Sequence, residues 1–409
     1  MRFRSFQGLV PVPELAAEVA AVPYDVVNRE EASALAAGKP NSLLHVDRAE
    51  IDLPEETDPY SLEVYSKARE NFERLQSSGI LVRETSPSLY IYRQTLGERS
   101  QTGLVGVCLT DDYENDVIKK HEKTRPDKED DRALLVDTLS ANTGPIFLTY
   151  PGVPAVDQIV NAFRLGNDPV HDFTAEDGVR HQVWRLPAGD CADIEQLFAR
   201  QVPAAYIADG HHRAASAYRV SRQRKASNPE HNGTEEYNWF LCVMFPAGDL
   251  SILPYNRAVK DLNGHDTTGF LQEVSSVFKV TATEEKSPTK PGHASMYLEG
   301  HWYDLQWTAD KDDSVIDQLD VSILQDRLLK PVLGIDDPRT SKRIDFIGGI
   351  RGTEELEKLV DSGEHAVAFS MHPVTVDQLM TISDASQIMP PKSTWFEPKL
   401  RSGLFIHTF

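Results

Sequence analysis

Positive charge is in short supply along this 409-residue chain: 42 Lys and Arg stand against 63 Asp and Glu, a formal net charge of −21 with the histidines neutral. A surface of that sign repels nucleic-acid phosphates and anionic membranes, so a nucleic-acid partner is not expected, and any bound anion must sit in a local basic pocket. Cysteine is scarce as well. Cys108, Cys191 and Cys242 are far apart and form no CxxC pair, which argues against structural zinc and against a disulfide scaffold. Cys108 (VGVCLT) and Cys242 (FLCVMF) lie in apolar, strand-like runs and read as buried thiols. No 18-residue apolar run occurs, so no membrane span is expected. The segment MRFRSFQGLVPVPELAAEV has no apolar stretch long enough for a signal peptide, and a cytoplasmic location is expected. Also missing are a G-x-x-x-x-G-K-[ST] loop, a GxGxxG after a strand, HExxH and GxSxG; GKPNS at 38–42 does not match a P-loop. Any handling of phosphate lies outside the common nucleotide folds.

What is present is ordinary for a globular chain, with 40% hydrophobic and 26% charged residues and length for two or three domains. Helices are expected over 14–38 and 59–78, the second from the spacing of Tyr60, Val64, Ala68, Phe72 and Leu75. LYIYRQTL (89–96) and TGLVGVCLT (102–110) read as a strand pair, followed by a helix from about Lys128 and the strand GPIFLTYP. NWFLCVMFP (238–246) and DLSILPYNRAV (249–259) suggest a hairpin across Ala247-Gly248, and ASMYLEGHWYDLQW another across Glu299-Gly300. The chain then alternates helix (314–330), strand (IDFIGG), helix (353–361), strand (AVAFSM) and helix (374–383). Strands that both form hairpins and alternate with helices imply an α/β (mixed α+β) fold with a mixed sheet and flanking helices. The expected partition is an N-terminal α/β region (1–150), a core region (151–262) and a C-terminal α/β region (263–409).

The stretch AAYIADGHHR (204–213) concentrates the chemistry. An apolar run stops at Asp209-Gly210, and His211, His212 and Arg213 open an amphipathic helix. Asp209 is suited to cap that helix. A cap does not explain cations in a first turn, where they oppose the helix dipole unless an anion sits there. Arg213 brings a permanent cation, and the histidines bring groups that are neutral, charged or metal-bound near pH 7. A metal reading would use His211, His212, Asp209 and His121. Neighbouring helical residues point about 100° apart, so at most one of the adjacent pair would be a ligand.

Four further blocks carry polar groups. In KKHEKTRPDKEDDR, His121, Glu122, Lys123, Thr124 and Arg125 supply a base, an acid, two cations and a hydroxyl before Pro126 starts a helix. In ANTGPIF, Asn142 and Thr143 end a helix before a strand, where they suit a helix C-terminus and also a ligand. In MPPKSTWFEPKL, Lys392, Ser393, Thr394 and Lys399 bracket Trp395 and Phe396, either as a lid over an anion or as a tail pinned by its aromatics. In VPYDVV, Asp25 stands between apolar pairs, where a raised pKa would suit a general base.

Taken together, VPYDVV, KKHEKTRPDKEDDR, ANTGPIF, ADGHHRAASA and MPPKSTWFEPK resemble the successive blocks of domain-of-unknown-function family 1015 over essentially the whole chain. That name carries no activity. The strand–DGHHR–helix unit is also similar, over about ten residues, to the phosphate-contacting motif of the ParB/sulfiredoxin superfamily, some members of which are kinases of free serine. This resemblance implies a ParB/sulfiredoxin-like core and assigns Gly210, His212 and Arg213 to phosphate. The sulfiredoxin branch uses a cysteine in this region, and none lies near 209–213.

The function expected is a small-molecule phosphotransferase, with free serine or phosphoserine as the leading substrate and a small phosphorylated metabolite as the partner. Phosphoryl transfer calls for cations on the transferred group, usually Mg²⁺, and a base for the acceptor. Arg213, Lys123 and Arg125 would be clamps, Glu122 or Asp25 the base, and Asp209, His211 and His212 phosphate or metal contacts. ATP, ADP and pyrophosphate are all possible donors. Two alternatives use the same residues: a phosphate-ester hydrolase, with water as the acceptor, and a non-catalytic, ParB-like nucleotide-binding regulatory protein.

Overall fold

The structure, a computed structural model, describes residues 1–310 and 312–409. The chain divides into two compact units, one made of Met1–Leu250 with Pro398–Phe409 and the other of Ser251–Glu397. The strands on either side of residue 150 belong to one sheet.

The first unit is built on a nine-stranded mixed sheet. In chain order its strands are β1 Phe3–Arg4, β2 Tyr90–Leu96, β3 Arg99–Leu109, β4 Ile118–Lys119, β5 Ile146–Tyr150, β6 His171–Thr174, β7 Arg180–Arg185, β8 Ala205–Asp209 and β9 Trp239–Pro246. Their spatial order is β4-β8-β5-β9-β3-β2-β7-β6, with β1 also paired to β3. Two neighbour pairs are parallel, β4 with β8 and β5 with β9; the others are antiparallel. The central strands β5 and β9 are buried nearly throughout, which is why they read as continuous apolar runs. The long helices of this unit are α1 Arg29–Ala36, α2 Leu62–Ser77, α3 Pro126–Leu139, α4 Pro154–Gly166, α5 Ala188–Gln201 and α6 His211–Ser227. Helix α2 buries Val64, Ala68, Phe72 and Leu75 as their spacing predicts, and Tyr65 with them, whereas Tyr60 precedes the helix and is exposed.

The second unit holds a six-stranded antiparallel sheet of β10 Tyr255–Val259, β11 Lys279–Ala282, β12 His293–Leu298, β13 His301–Gln306, β14 Ile344–Gly348 and β15 Val367–Met371, in the order β11-β13-β12-β15-β10-β14. Helices α7 Thr267–Val277, α8 Glu354–Asp361 and α9 Val376–Asp384 accompany it. The β12–β13 turn forms as expected, with Glu299 and Gly300 both left-handed, as a tight two-residue hairpin loop requires.

Three local expectations fail for physical reasons. The segment 14–38 is not one helix. Pro23 has no N–H to donate and disfavours helix before it, and α1 starts afresh at a capping box in which Asn28 Oδ1 accepts from the Glu31 N–H at 2.9 Å. No hairpin crosses Ala247-Gly248: β9 pairs with β3 and β5, while β10 pairs with β14 and β15 in the other unit. Of 314–330, only Asp320–Leu324 is α-helical, and it runs directly into a single π turn over Gln325–Leu329.

Candidate anion-binding site

The sheet order explains how distant sequence blocks meet. β4 runs parallel to β8, pairing Ala205 with Ile118 and Tyr206 with Lys119, so both strands leave the sheet at the same edge. One exit leads into His121–Arg125, the other into Gly210 and α6. β5 is antiparallel to β8 and pairs Phe147 with Asp209, which brings the chain entering β5, Asn142–Pro145, to that edge as well. Such carboxyl edges are where open α/β sheets hold ligands.

The turn from β8 to α6 depends on glycine. Gly210 has φ +94°, and a Cβ there would stand 3.1 Å from Nε of Arg213. The Arg213 side chain folds back under this glycine. Its guanidinium donates to the Pro145 carbonyl and, from Nη2 at 3.2 Å, to Oδ2 of Asp209. Nε of Arg213 is buried without a partner. Asp209 is drawn to Arg213 and lies 3.7 Å from the Lys399 ammonium. The N-cap residue of α6 is Gly210, which has no side chain to cap it, and no acidic residue lies in the first turn. A helix start left in that condition favours an external anion.

Three imidazoles gather here. His121 and His211 are buried and pack edge to face with ring centroids 4.5 Å apart. Burial pushes the His121 pKa down to about 4, although Asp209 and a hydrogen bond to the Ile207 backbone favour its protonated form. Burial, reinforced by His121, holds His211 well below the ordinary histidine value. Nδ1 of His121 and Nε2 of His211 have no partner. Two neutral rings thus present unsatisfied nitrogens, each of which costs free energy unless a ligand or water meets it. Glu122 Oε2 stands 3.7 Å from Nδ1 of His211. His212 Nε2 accepts the backbone N–H of Arg125 at 3.1 Å, and burial lowers its pKa, so the neutral ring carries its proton on Nδ1. His212 is thereby a donor rather than a base.

The remaining predicted residues divide. Thr124 Oγ1 donates to Glu129 at 3.1 Å, Arg125 makes a two-pronged pair with Asp127, and Lys123 is exposed. Asp25 is also exposed rather than enclosed by its apolar neighbours, and it acts on His212 through its charge. Tyr24 beside it is the buried residue, with the Arg132 guanidinium 4.1 Å from its ring centroid. Asn142 and Thr143 are buried. Thr143 Oγ1 donates to Asp47 at 2.6 Å, inside a small cavity of about 30 Å³ lined by Asp47, Arg132, Thr143, Arg213 and Ser402. Lys392, Ser393 and Thr394 belong to the second unit. The member of that block that meets DGHHR is Lys399, in the first unit.

Sequence reasoning missed Asp47 and Ser402, and quoted Arg132 without singling it out. Asp47 sits in an unremarkable LHVD turn, and burial raises its carboxyl pKa against the pull of Thr143 and Arg132. Only the fold discloses it. Among the described residues, no group of three or more His, Cys, Asp and Glu side chains is placed to hold a metal ion. No helix of the described residues is long and apolar enough to cross a membrane.

A family model described as a protein of unknown function, DUF1015, matches residues 3–322. The chain belongs to the DUF1015 family. The matched span contains every element of the first-unit site except Lys399 and Ser402. A search of curated proteins finds no match. Among solved structures, this DUF1015 chain is similar to a free serine kinase in complex with AMP, at 14% identity over 73% of this chain and 90% of that chain, TM-score 0.36. It is similar to a conserved hypothetical protein from Pyrococcus furiosus at 14% identity over 73% and 93%, TM-score 0.36. It is similar too to a C-terminally truncated SbnI from Staphylococcus aureus at 11% identity over 74% and 87%, TM-score 0.37.

Proposed function

We propose that the protein is a small-molecule phosphotransferase whose phosphoryl group is received at the start of α6, with free serine or phosphoserine as the substrate. The observation that carries this reading is the helix start itself: a glycine stands at its N-cap, its first turn holds no acid, and two buried neutral histidines with unsatisfied nitrogens ring it. Donors in a desolvated site stabilise charge developing on a transferred phosphoryl group. In this reading the His212 Nδ1–H and the His211 ring contact phosphate oxygens, and Lys123, Arg125 and Lys399 supply cations. Arg213 acts chiefly by holding the Asp209-Gly210 turn in shape. Glu122 or Asp25 takes the proton of the acceptor hydroxyl.

Mg²⁺ usually keeps several waters and needs only one or two protein carboxylates beside substrate phosphates. Asp209 and Glu122 suit that requirement, and Mg²⁺ would neutralise charge on an ATP, ADP or pyrophosphate donor. The acceptor follows from the resemblance of the DGHHR unit to a superfamily that includes free-serine kinases.

The test is a phosphorus NMR screen of the full chain with serine, Mg²⁺ and ATP, ADP or pyrophosphate, run in both directions. Formation of O-phosphoserine is expected, and His212→Ala should lower its rate by roughly 10²-fold or more, with circular dichroism confirming the fold. Free phosphate released equally with and without serine would reassign the site to hydrolysis. No phosphorus chemistry with any donor would overturn the reading.

A further inference from the structure

The second unit contains a cation that nothing in the described chain neutralises. Three arginines are buried to 9% exposure or less: Arg132, Arg257 and Arg401. Arg132 pairs with Asp131, and Arg401 with Asp177. Arg257, 3% exposed, has no carboxylate partner among the described residues; its Nη1 donates to the Tyr255 carbonyl and its Nη2 to the Lys392 carbonyl at 3.3 Å. It lies on β10 between β14 and β15, directly opposite Phe346 and Phe369, with the Phe346 ring centroid 5.4 Å from the guanidinium. A charge placed among aromatics with only neutral acceptors is costly, and buried charges are ordinarily paired. Burial pulls the Arg257 pKa down to about 9.

A second cation is delivered to the same place. Trp395-Phe396 pairs as a short strand with Ile252-Leu253, immediately before β10. The Trp395 ring packs on Gly348, where a Cβ would come within 3.0 Å of it, and stands 5.0 Å from the Tyr255 ring. Ser393 Oγ donates to the Pro390 carbonyl at 2.7 Å. The segment is thereby fixed, and Lys392 holds a left-handed backbone at φ +54°. Its exposed side chain carries the ammonium to 5.5 Å from the Tyr255 ring centroid. Tyr255 and Arg257 are two residues apart on one strand and share a face.

We propose that Arg257 and Lys392 form an anion site within the second unit, separate from the α6 start and suited to a phosphate group. The forked guanidinium matches phosphate oxygens, and the ammonium supplies the second charge that a dianion requires. The pinned Tyr255 and Trp395 rings wall the site.

Trp395 reports on this place. The full chain is titrated with inorganic phosphate, pyrophosphate and, as a carboxylate control, acetate, and the emission that disappears in Trp395→Phe is followed. A saturable change is expected with the two phosphates and not with acetate. Lys392→Ala, at an exposed position, should weaken the apparent affinity about tenfold. Arg257→Gln should abolish the signal, with circular dichroism confirming the fold. No Trp395 signal, equal titration by acetate, or affinity unaltered by Lys392→Ala would each overturn the proposal, whatever the outcome of the kinase assay.

Discussion

Replacing Gly210 with alanine probes the β8–α6 turn most directly. At φ +94° a Cβ is unfavourable in itself, by about 1–2 kcal/mol for a left-handed residue. The new atom would also stand 3.1 Å from Nε of Arg213, closer than such contacts normally allow, so the guanidinium must shift. That shift weakens its bonds to Asp209 and the Pro145 carbonyl, and hydrogen bonds to charged groups contribute about 1.5–3 kcal/mol each. Partial relaxation leaves an expected loss of about 2–4 kcal/mol, or roughly 5–15 °C in Tm for a unit of this size. Gly178→Ala is the control. Gly178 has φ +80° in the same unit, but its Cβ would meet nothing within 4 Å, so only the backbone cost of about 1–2 kcal/mol applies. The assay is thermal unfolding followed by Trp184 and Trp239, both in the first unit. Equal losses in the two variants would refute the argument that Arg213 is held by the absence of a side chain at Gly210.

Three further outcomes follow from buried groups. His121, depressed to about 4 by burial, is neutral in the fold where the unfolded chain would bind a proton, so its contribution is present at neutral pH and is lost as pH falls from about 6.5 toward 4. At pH 5 that loss is about 2 kcal/mol, and urea midpoints at pH 7 and pH 5 should show a smaller pH dependence in His121→Asn than in wild type. Thr143→Val removes the donor to the buried Asp47 and should cost about 1–3 kcal/mol. Because the folded Asp47 pKa is already raised, a carboxyl contributes less as pH rises, so the deficit in denaturant unfolding should be larger at pH 7 than at pH 5. Cys108, Cys191 and Cys242 are all buried, and burial pushes the Cys108 and Cys191 thiols up. A chromogenic thiol reagent should titrate none of them in the native protein and all three in denaturant.

Much of the fold was legible because the signals were local. The apolar spacing from Val64 to Leu75, the run FLCVMF and the Glu299-Gly300 turn each fix their own conformation within a few residues. Errors arose where a local pattern had two readings. The sequence 14–38 has helical spacing, but Pro23 and the Asn28 cap decide against continuity. Ala247-Gly248 has turn composition, but which sheet each flanking strand joins depends on partners 85 to 140 residues away.

The candidate site divides in the same way. DGHHR announces itself because cations in a first helical turn contradict the helix dipole, and Gly210 because the chain must turn there without a Cβ. HEKTR is a charged run in sequence; the parallel pairing of two-residue β4 with β8 is what sets it beside DGHHR. Asp47, Arg132 and Ser402 carry no local signature, since burial and opposed charge are properties of the packed chain. The pairings of the polar residues appear only in three dimensions: Asp209 meets Arg213, and Arg257 is anomalous because no carboxylate is folded against it. The sequence by itself determined the elements and the turn that organises the site, for those depend on interactions a few residues long. The tertiary structure alone decided which charges meet, because electrostatics and desolvation act between neighbours in space.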